Sequence, residues 1–381
     1  VITGNTRTHE HVIRREIRTK PGQLFNRSDI IRTTRELAQL GFFNPEKLDV
    51  KPEPDPANGT VDLEYVVEEM HSDQIELSGG WGANTIVGTL GLSFNNFSIR
   101  NVLKKGAWRP IPSGDGQKLS IRAQTNGTYY QGYNLSFVEP WLGGKKPNSL
   151  SVSFYHTASN YNYYQSRISS RVSGSMKVFG SSVGLGQRLK WPDDFFILRN
   201  SLNYQFYNLD NYSSRTFNFT DGKSNNLNFS TTFARNSVDA PIYPRRGSLF
   251  SLTVEFTPPF SVFKEDGFWE LNPAQYDTLT TSEITKKENS KKFKWIEYHK
   301  WKFKSSWYLK LVGDLVLYTN AEYGFLGFYN ADIGHSPFEK FSVGGDGLSG
   351  YRTYGEEIIA MRGYENNSPS YNGGNIYEKY T

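Results

Sequence analysis

The 381-residue chain has no cysteine. That excludes a disulfide framework and a thiolate metal site. No apolar run reaches the roughly 18 residues that a membrane-spanning helix requires, and the mean hydropathy is −0.59. A transmembrane helix is therefore excluded. No dense block of one charge occurs either: 43 Lys and Arg stand against 38 Asp and Glu, for a net charge of +5. No nucleic-acid site is read from that balance. Histidine is scarce, with six residues, and neither GxSxG nor HExxH is present. A signal peptide is missing as well, so Val1 is expected to be a mature or truncated start.

What the chain does have is aromatic residues, 24 Tyr, 26 Phe and 8 Trp. Low hydropathy with many aromatics suits a transmembrane β-barrel, in which alternate residues face lipid and aromatic girdles mark the interfaces. Composition alone fits a soluble all-β protein equally well.

Residues 1–70 read differently from the remainder. Thr8 is placed to cap a helix carrying Val12, Ile13 and Ile17 on one face, ended by Pro21-Gly22. Asn26 caps a second helix with Ile30, Thr34, Leu37 and Ala38 inward, and Gly41 stops it. Extended segments follow near Leu48–Lys51 and Val61–Glu69. From Gln74 onward period-two runs recur. Leu150, Val152 and Phe154 alternate with Ser151, Ser153 and Tyr155. Phe250, Leu252, Val254 and Phe256 alternate with Ser251, Thr253 and Glu255, and Trp301, Phe303, Trp307 and Leu309 with Lys302, Lys304, Tyr308 and Lys310. Each run describes a strand with one apolar face, which a core or lipid could cover. About eleven strands are expected between 73 and 326, with a twelfth starting near Asn375. Connections alternate short and long, as in outer-membrane barrels, except the long Phe97–Gly116 on the short side.

Several chemical patterns fail on inspection. Gly345–Gly350 spells a dinucleotide fingerprint but opens no helix. His9 and His11, two apart on the expected helix, should face different directions, unlike a zinc-binding pair. Asp193-Asp194 beside Pro192 reads as a solvated turn. No catalytic residue, metal site or cofactor is expected.

Two sets of motifs carry a family resemblance. Gly4-Asn5, Ile13-Arg14-Arg15-Glu16, Gly22, Phe25-Asn26, Leu40-Gly41-Phe42-Phe43 and Val67-Glu68-Glu69 resemble a POTRA domain. Asn95-Asn96-Phe97, Phe137-Val138-Glu139-Pro140-Trp141, Trp191-Pro192-Asp193-Asp194, Pro244-Arg245-Arg246-Gly247, Gly344-Gly345 and Arg362-Gly363-Tyr364 resemble the BamA-type outer-membrane assembly family. The resemblance implies an α+β POTRA domain at 1–70 with its first strand missing. An antiparallel transmembrane β-barrel follows at 73–381, including the long loop 327–374, with an insertion at Asp346–Ile359. The family barrel has sixteen strands, so the last four or five are expected beyond Thr381.

The resemblance also implies roles. The POTRA domain would take unfolded clients in the periplasm by strand addition. The seam strand, with Gln74, Ile75, Glu76, Leu77, Ser78, Gly79 and Gly80, would open laterally. Its glycines either weaken that edge or relieve crowding. The loop, led by Gly344-Gly345, would enter the barrel, where Arg362 pairs with a lumen acid, Tyr364 packs beside it, and Gly363 permits close approach to the wall. The family's acid lies beyond Thr381, which leaves Glu255 or Glu322 as second choices here. Expected partners are unfolded outer-membrane clients, accessory lipoproteins and subunits, and the lipid bilayer of the bacterial outer membrane. The alternative is a two-partner secretion pore that exports one cognate protein through the lumen. A simple porin does not account for the N-terminal module.

Overall fold

The alternating runs become an eleven-stranded sheet in the computed structural model. It describes residues 1–82, 85–108, 111–127, 129–165, 170–193, 195–212, 219–239, 243–265, 267–271, 279–344, 355–359 and 363. The N-terminal module holds β1 (Ile2–Thr3), α1 (Glu10–Arg14), α2 (Arg27–Gln39), β2 (Asp49–Asp55) and β3 (Thr60–Val66). The large sheet follows: β4 (Gln74–Gly82), β5 (Thr85–Phe97), β6 (Gln117–Asn126), β7 (Tyr130–Glu139), β8 (Asn148–Gln165), β9 (Ser170–Arg188), β10 (Phe196–Asp210), β11 (Gly222–Asn236), β12 (Gly247–Phe256), β13 (His299–Lys310) and β14 (Val316–Gly327). Its strands lie in sequence order, with β4 and β14 at the edges. A helix, α3 (Thr281–Lys292), lies in the connection between β12 and β13, and β15 (Lys340–Val343) pairs in parallel with β16 (Glu356–Ile359). No helix among the described residues is long and apolar enough to cross a membrane. The chain packs as two units, 1–157 with 183–187, and 158–182 with 188–381.

In the first unit, α1 and α2 cover a small sheet of order β1-β3-β2. Val12, Ile13, Leu37, Phe42, Phe43, Tyr65 and Val67 are its buried apolar core. Three sequence expectations are corrected here. The first strand is not wholly missing: Ile2 and Thr3 pair in parallel with Tyr65 and Val66. The α1 cap is His9, because Thr8 is buried and already engaged, its N–H donating to Glu69 (2.6 Å) and its hydroxyl accepting from Asn96 (2.8 Å). Strand β2 runs on through Pro52 and Pro54 to Asp55. It is an edge strand, where prolines that donate no hydrogen bond are tolerated. Asn26 caps α2 as expected, accepting from the Ser28 N–H at 2.9 Å.

The long 97–116 connection also finds its reason in this unit. It returns to the module, with Gly114 C=O accepting from the His9 N–H at 2.9 Å. The β7 end docks beside it: Trp141 Nε1 donates to Glu16 at 2.7 Å, and the Arg15 guanidinium lies 5.7 Å from the Trp141 ring centre.

In the second unit the burial of the strand faces is the reverse of a soluble protein's. On β11 the buried positions are Ser224, Asn226 and Asn228. On β13 they are Lys300, Ser305 and Ser306, whereas Trp301, Phe303, Trp307 and Leu309 are exposed. The register carries the apolar face across neighbours, pairing Phe229 with Phe256, Leu252 with Phe303 and Trp301 with Phe325. Water penalises such a face, and lipid does not.

Candidate functional site

Two features stand apart from ordinary strand packing. The first is the β4 edge. It pairs with β5 from Gln74↔Ser93 to Gly82↔Thr85, and no second partner occurs among the described residues. Ile75, Leu77 and Trp81 share one face, each at least 75% exposed. On the opposite face Glu76 meets Arg122 at 3.1 Å across Gly91, where a Cβ would come within 3.2 Å of the Glu76 side chain. Gly79 and Gly80 differ from Gly91: a Cβ at Gly79 would make one ordinary contact at 3.8 Å, and one at Gly80 would meet nothing. Among the described residues, crowding therefore requires neither glycine. What remains is their effect on strand stability, a cost of about 0.5–1 kcal/mol each relative to alanine.

The second feature is the segment after β14. The sequence reads there as a long loop, yet Lys340–Val343 and Glu356–Ile359 pair in register. The pair lies on the lysine face of β13. Lys300 Nζ sits 3.1 Å from Glu339, 3.2 Å from Glu357 and 3.1 Å from the Gly355 carbonyl. Lys302 bridges Glu357 (2.7 Å) and Glu255 (2.9 Å). Lys300 and Glu339 are only 1% and 5% exposed. Burial pushes the Glu339 carboxyl up to about 7, against the pull of Lys300. Aromatic packing adds to the clamp. Phe338 stacks on Tyr207 with centroids 4.2 Å apart, and Phe341 lies where a Gly324 Cβ would come within 2.8 Å of its ring. Gly355, at φ 85, turns where a Cβ would strike the Phe338 carbonyl at 2.6 Å.

The expected site residues distribute as follows. Gln74 to Gly80 lie in β4, at the edge of the described sheet. Gly344, at φ 111, donates its N–H to the Ile359 carbonyl at 3.0 Å, just after β15. Gly363 is described and has φ 86, whereas Gly345, Arg362 and Tyr364 lie outside the described residues. Glu255 is paired with Lys302, and Glu322 with Lys304 at 2.6 Å. Asp193 does more than line a turn: it holds Arg235 at 2.8 Å and caps the Phe195 N–H. His9 and His11 do not diverge, because His9 precedes α1; their rings stack 5.6 Å apart beside Asp115. Sequence reasoning missed Lys300, Glu339 and Glu357. The available signal was Lys300-x-Lys302-x-Lys304 on the polar side of an apolar strand, which calls for acids elsewhere.

Comparison with known proteins decides the family. An Omp85 superfamily domain model matches residues 113–380, and a POTRA model, described as a surface antigen variable number repeat, matches 1–70. The chain belongs to the Omp85 superfamily. Its fold is a POTRA domain followed by part of an Omp85 transmembrane β-barrel, with eleven strands in the described sheet. The chain is 24% identical over 399 residues to the outer membrane protein assembly factor BamA of Neisseria meningitidis, covering all of this chain and 40% of that protein. A crystal structure of Haemophilus ducreyi BamA lacking POTRA domains 1–3 is similar in fold, with TM-score 0.54 and 19% identity over 92% of this chain and 59% of that one. CdiB from Escherichia coli has TM-score 0.50 and 14% identity, covering 94% and 56%. This Omp85 chain therefore spans 40% of the Neisseria protein's length and somewhat over half of the two solved chains.

Proposed function

We propose that this chain is part of the central subunit of the machinery that folds and inserts β-barrel proteins into the bacterial outer membrane. The protein is an outer-membrane component with its POTRA domain on the periplasmic side. Its work involves no bond chemistry and needs no cofactor or nucleotide. The observation that carries the reading is the β4 edge, which has no second partner among the described residues, exposed apolar side chains and two glycines that packing among those residues does not require. A client strand adds to such an edge through main-chain hydrogen bonds, which make no demand on its sequence. The POTRA sheet delivers clients, accessory lipoproteins and subunits assemble around it, and lateral opening beside β4 passes the client into lipid. In this reading Arg362, Gly363 and Tyr364 fasten the long loop inside the barrel, and Glu255 and Glu322 contribute to the acidic side of the lumen.

A cysteine at Ser78, on β4, cross-linked to the last strand of the complete protein tests this. Client insertion into liposomes should stop and recover on reduction. Unimpaired insertion by the cross-linked protein would reject lateral opening. The likeness to CdiB concerns the fold alone and lends export through the lumen no support.

A further inference from the structure

The junction between the POTRA helix and the barrel connection gathers three metal-binding side chains that the assembly role leaves unused. His9 Nδ1 lies 2.9 Å from Asp115 Oδ1, and His11 Nε2 lies 3.6 Å from the same oxygen. The donor atoms of His9, His11 and Asp115 all fall within 4.8 Å of one another. The imidazole rings stack at 20°, which lets both present nitrogens toward one carboxylate. A tetrahedral zinc site has metal–ligand bonds of about 2.0–2.2 Å, so its donors stand roughly 3.3 Å apart. The two nitrogen–carboxylate separations bracket that value, and the two imidazole donors, which lie within 4.8 Å of each other, turn toward the shared oxygen to take up an ion.

The surroundings are built around this geometry. Ser98, fully buried, donates its hydroxyl to the other carboxylate oxygen, Oδ2, at 2.6 Å. That leaves Oδ1 directed at the histidines. Gly114 has φ 124, and a Cβ there would come within 3.0 Å of His9 Cε1 and 2.8 Å of the Arg7 carbonyl. Gly116, on the other side of Asp115, has φ 68 and lies against Val12 and Arg15. Both histidines are half-exposed, so an ion can enter from solvent.

We infer that His9, His11 and Asp115 form a binding site for a divalent first-row transition ion of the Zn2+ class, which ties the POTRA helix to the β5–β6 connection. Two imidazoles with one carboxylate favour such ions over Ca2+ or Mg2+, which prefer all-oxygen shells. The site holds three of four tetrahedral positions and leaves the fourth to solvent. Ser98 acts as a positioning residue, setting the carboxylate. The inference does not depend on the client-insertion reading, since a static clamp would serve an export pore equally.

The test uses tag-free full-length protein in detergent micelles, stripped with chelator and titrated with Zn2+ by calorimetry, with Co2+ absorbance as an independent spectral readout. One equivalent should bind at micromolar free Zn2+. Ser98→Ala should weaken binding by roughly 10–100-fold, the usual effect of losing a group that orients a ligand. His9→Ala, His11→Ala and Asp115→Asn should weaken it further, and His71→Ala should leave it unchanged. Zn2+ should also slow hydrogen exchange of residues 98–116 in the wild type and not in His11→Ala. His11 is half-exposed, so its alanine variant reads the site even if Asp115→Asn disturbs folding. No uptake by the wild type, or undiminished uptake by the His9→Ala/His11→Ala double variant, would overturn the assignment.

Discussion

Replacing Lys300 with methionine tests how the long loop is held. Methionine keeps much of the side-chain volume and removes the charge. Lys300 Nζ serves Glu339, Glu357 and the Gly355 carbonyl, all within 3.2 Å. Glu357 keeps Lys302 at 2.7 Å, but among the described residues no other cation lies within salt-bridge distance of the buried Glu339. Removing one partner of a buried pair costs about 3–5 kcal/mol, because the other charge is stranded. Glu339 sheds that charge readily, since burial raises its pKa to about 7. The loss should therefore fall near the lower end, about 3 kcal/mol. That corresponds to roughly 100-fold in the ratio of docked to released loop. Hydrogen exchange in the full-length protein reads this directly, through the Lys340 and Gly344 amides that bond to Gly355 and Ile359. Their exchange should accelerate by that factor. Lys304→Met removes a half-exposed pair with Glu322 and should change it little. Lys300→Met/Glu339→Leu should recover most of the loss, as apolar replacements of buried pairs often do. The reasoning is refuted if Lys300→Met leaves these amides as slow as in the wild type, or if the double variant is no better than the single.

Four further outcomes are expected. Leu37→Ala, in the POTRA core, should cost about 2–5 kcal/mol; POTRA amides that exchange no faster would show that the core is built elsewhere. Gly80→Val should strengthen the β4 edge by roughly 1 kcal/mol and slow client insertion; faster insertion would contradict a role for edge weakness. At Glu69 burial raises the carboxyl pKa, but hydrogen bonds from Thr6, Thr8 and Arg7 outweigh it and hold the group below its ordinary 4.5. Its contribution is thus present above that value and lost as pH falls through the lowered folded value; Glu69→Gln should flatten this acid limb in pH-dependent melting, and an unchanged limb would reject the assignment. Arg362→Ala should reduce heat resistance and client insertion far more than Arg352→Ala; equal behaviour of the two would remove Arg362 from the loop's fastening.

Local patterning in the chain was enough for the strands and the family. Alternation is a local property, so Phe250 to Phe256 and Trp301 to Leu309 declared their apolar faces without knowledge of any partner. Turn chemistry and the Asn26 cap are equally local. Alternation marks only 150–155 of β8, yet the strand runs from Asn148 to Gln165, because backbone pairing needs no apolar face. Which side those apolar faces meet was decided only by tertiary structure, through buried Lys300 and Asn226 beside exposed Trp301 and Phe303. The same holds for the clamp and the histidine cluster. Glu339 reaches Lys300 from 39 residues away and Asp115 reaches His9 from 106. A charge announces only that it needs a counter-charge or water; which residue supplies it depends on the path by which the chain returns, and no local period encodes that path.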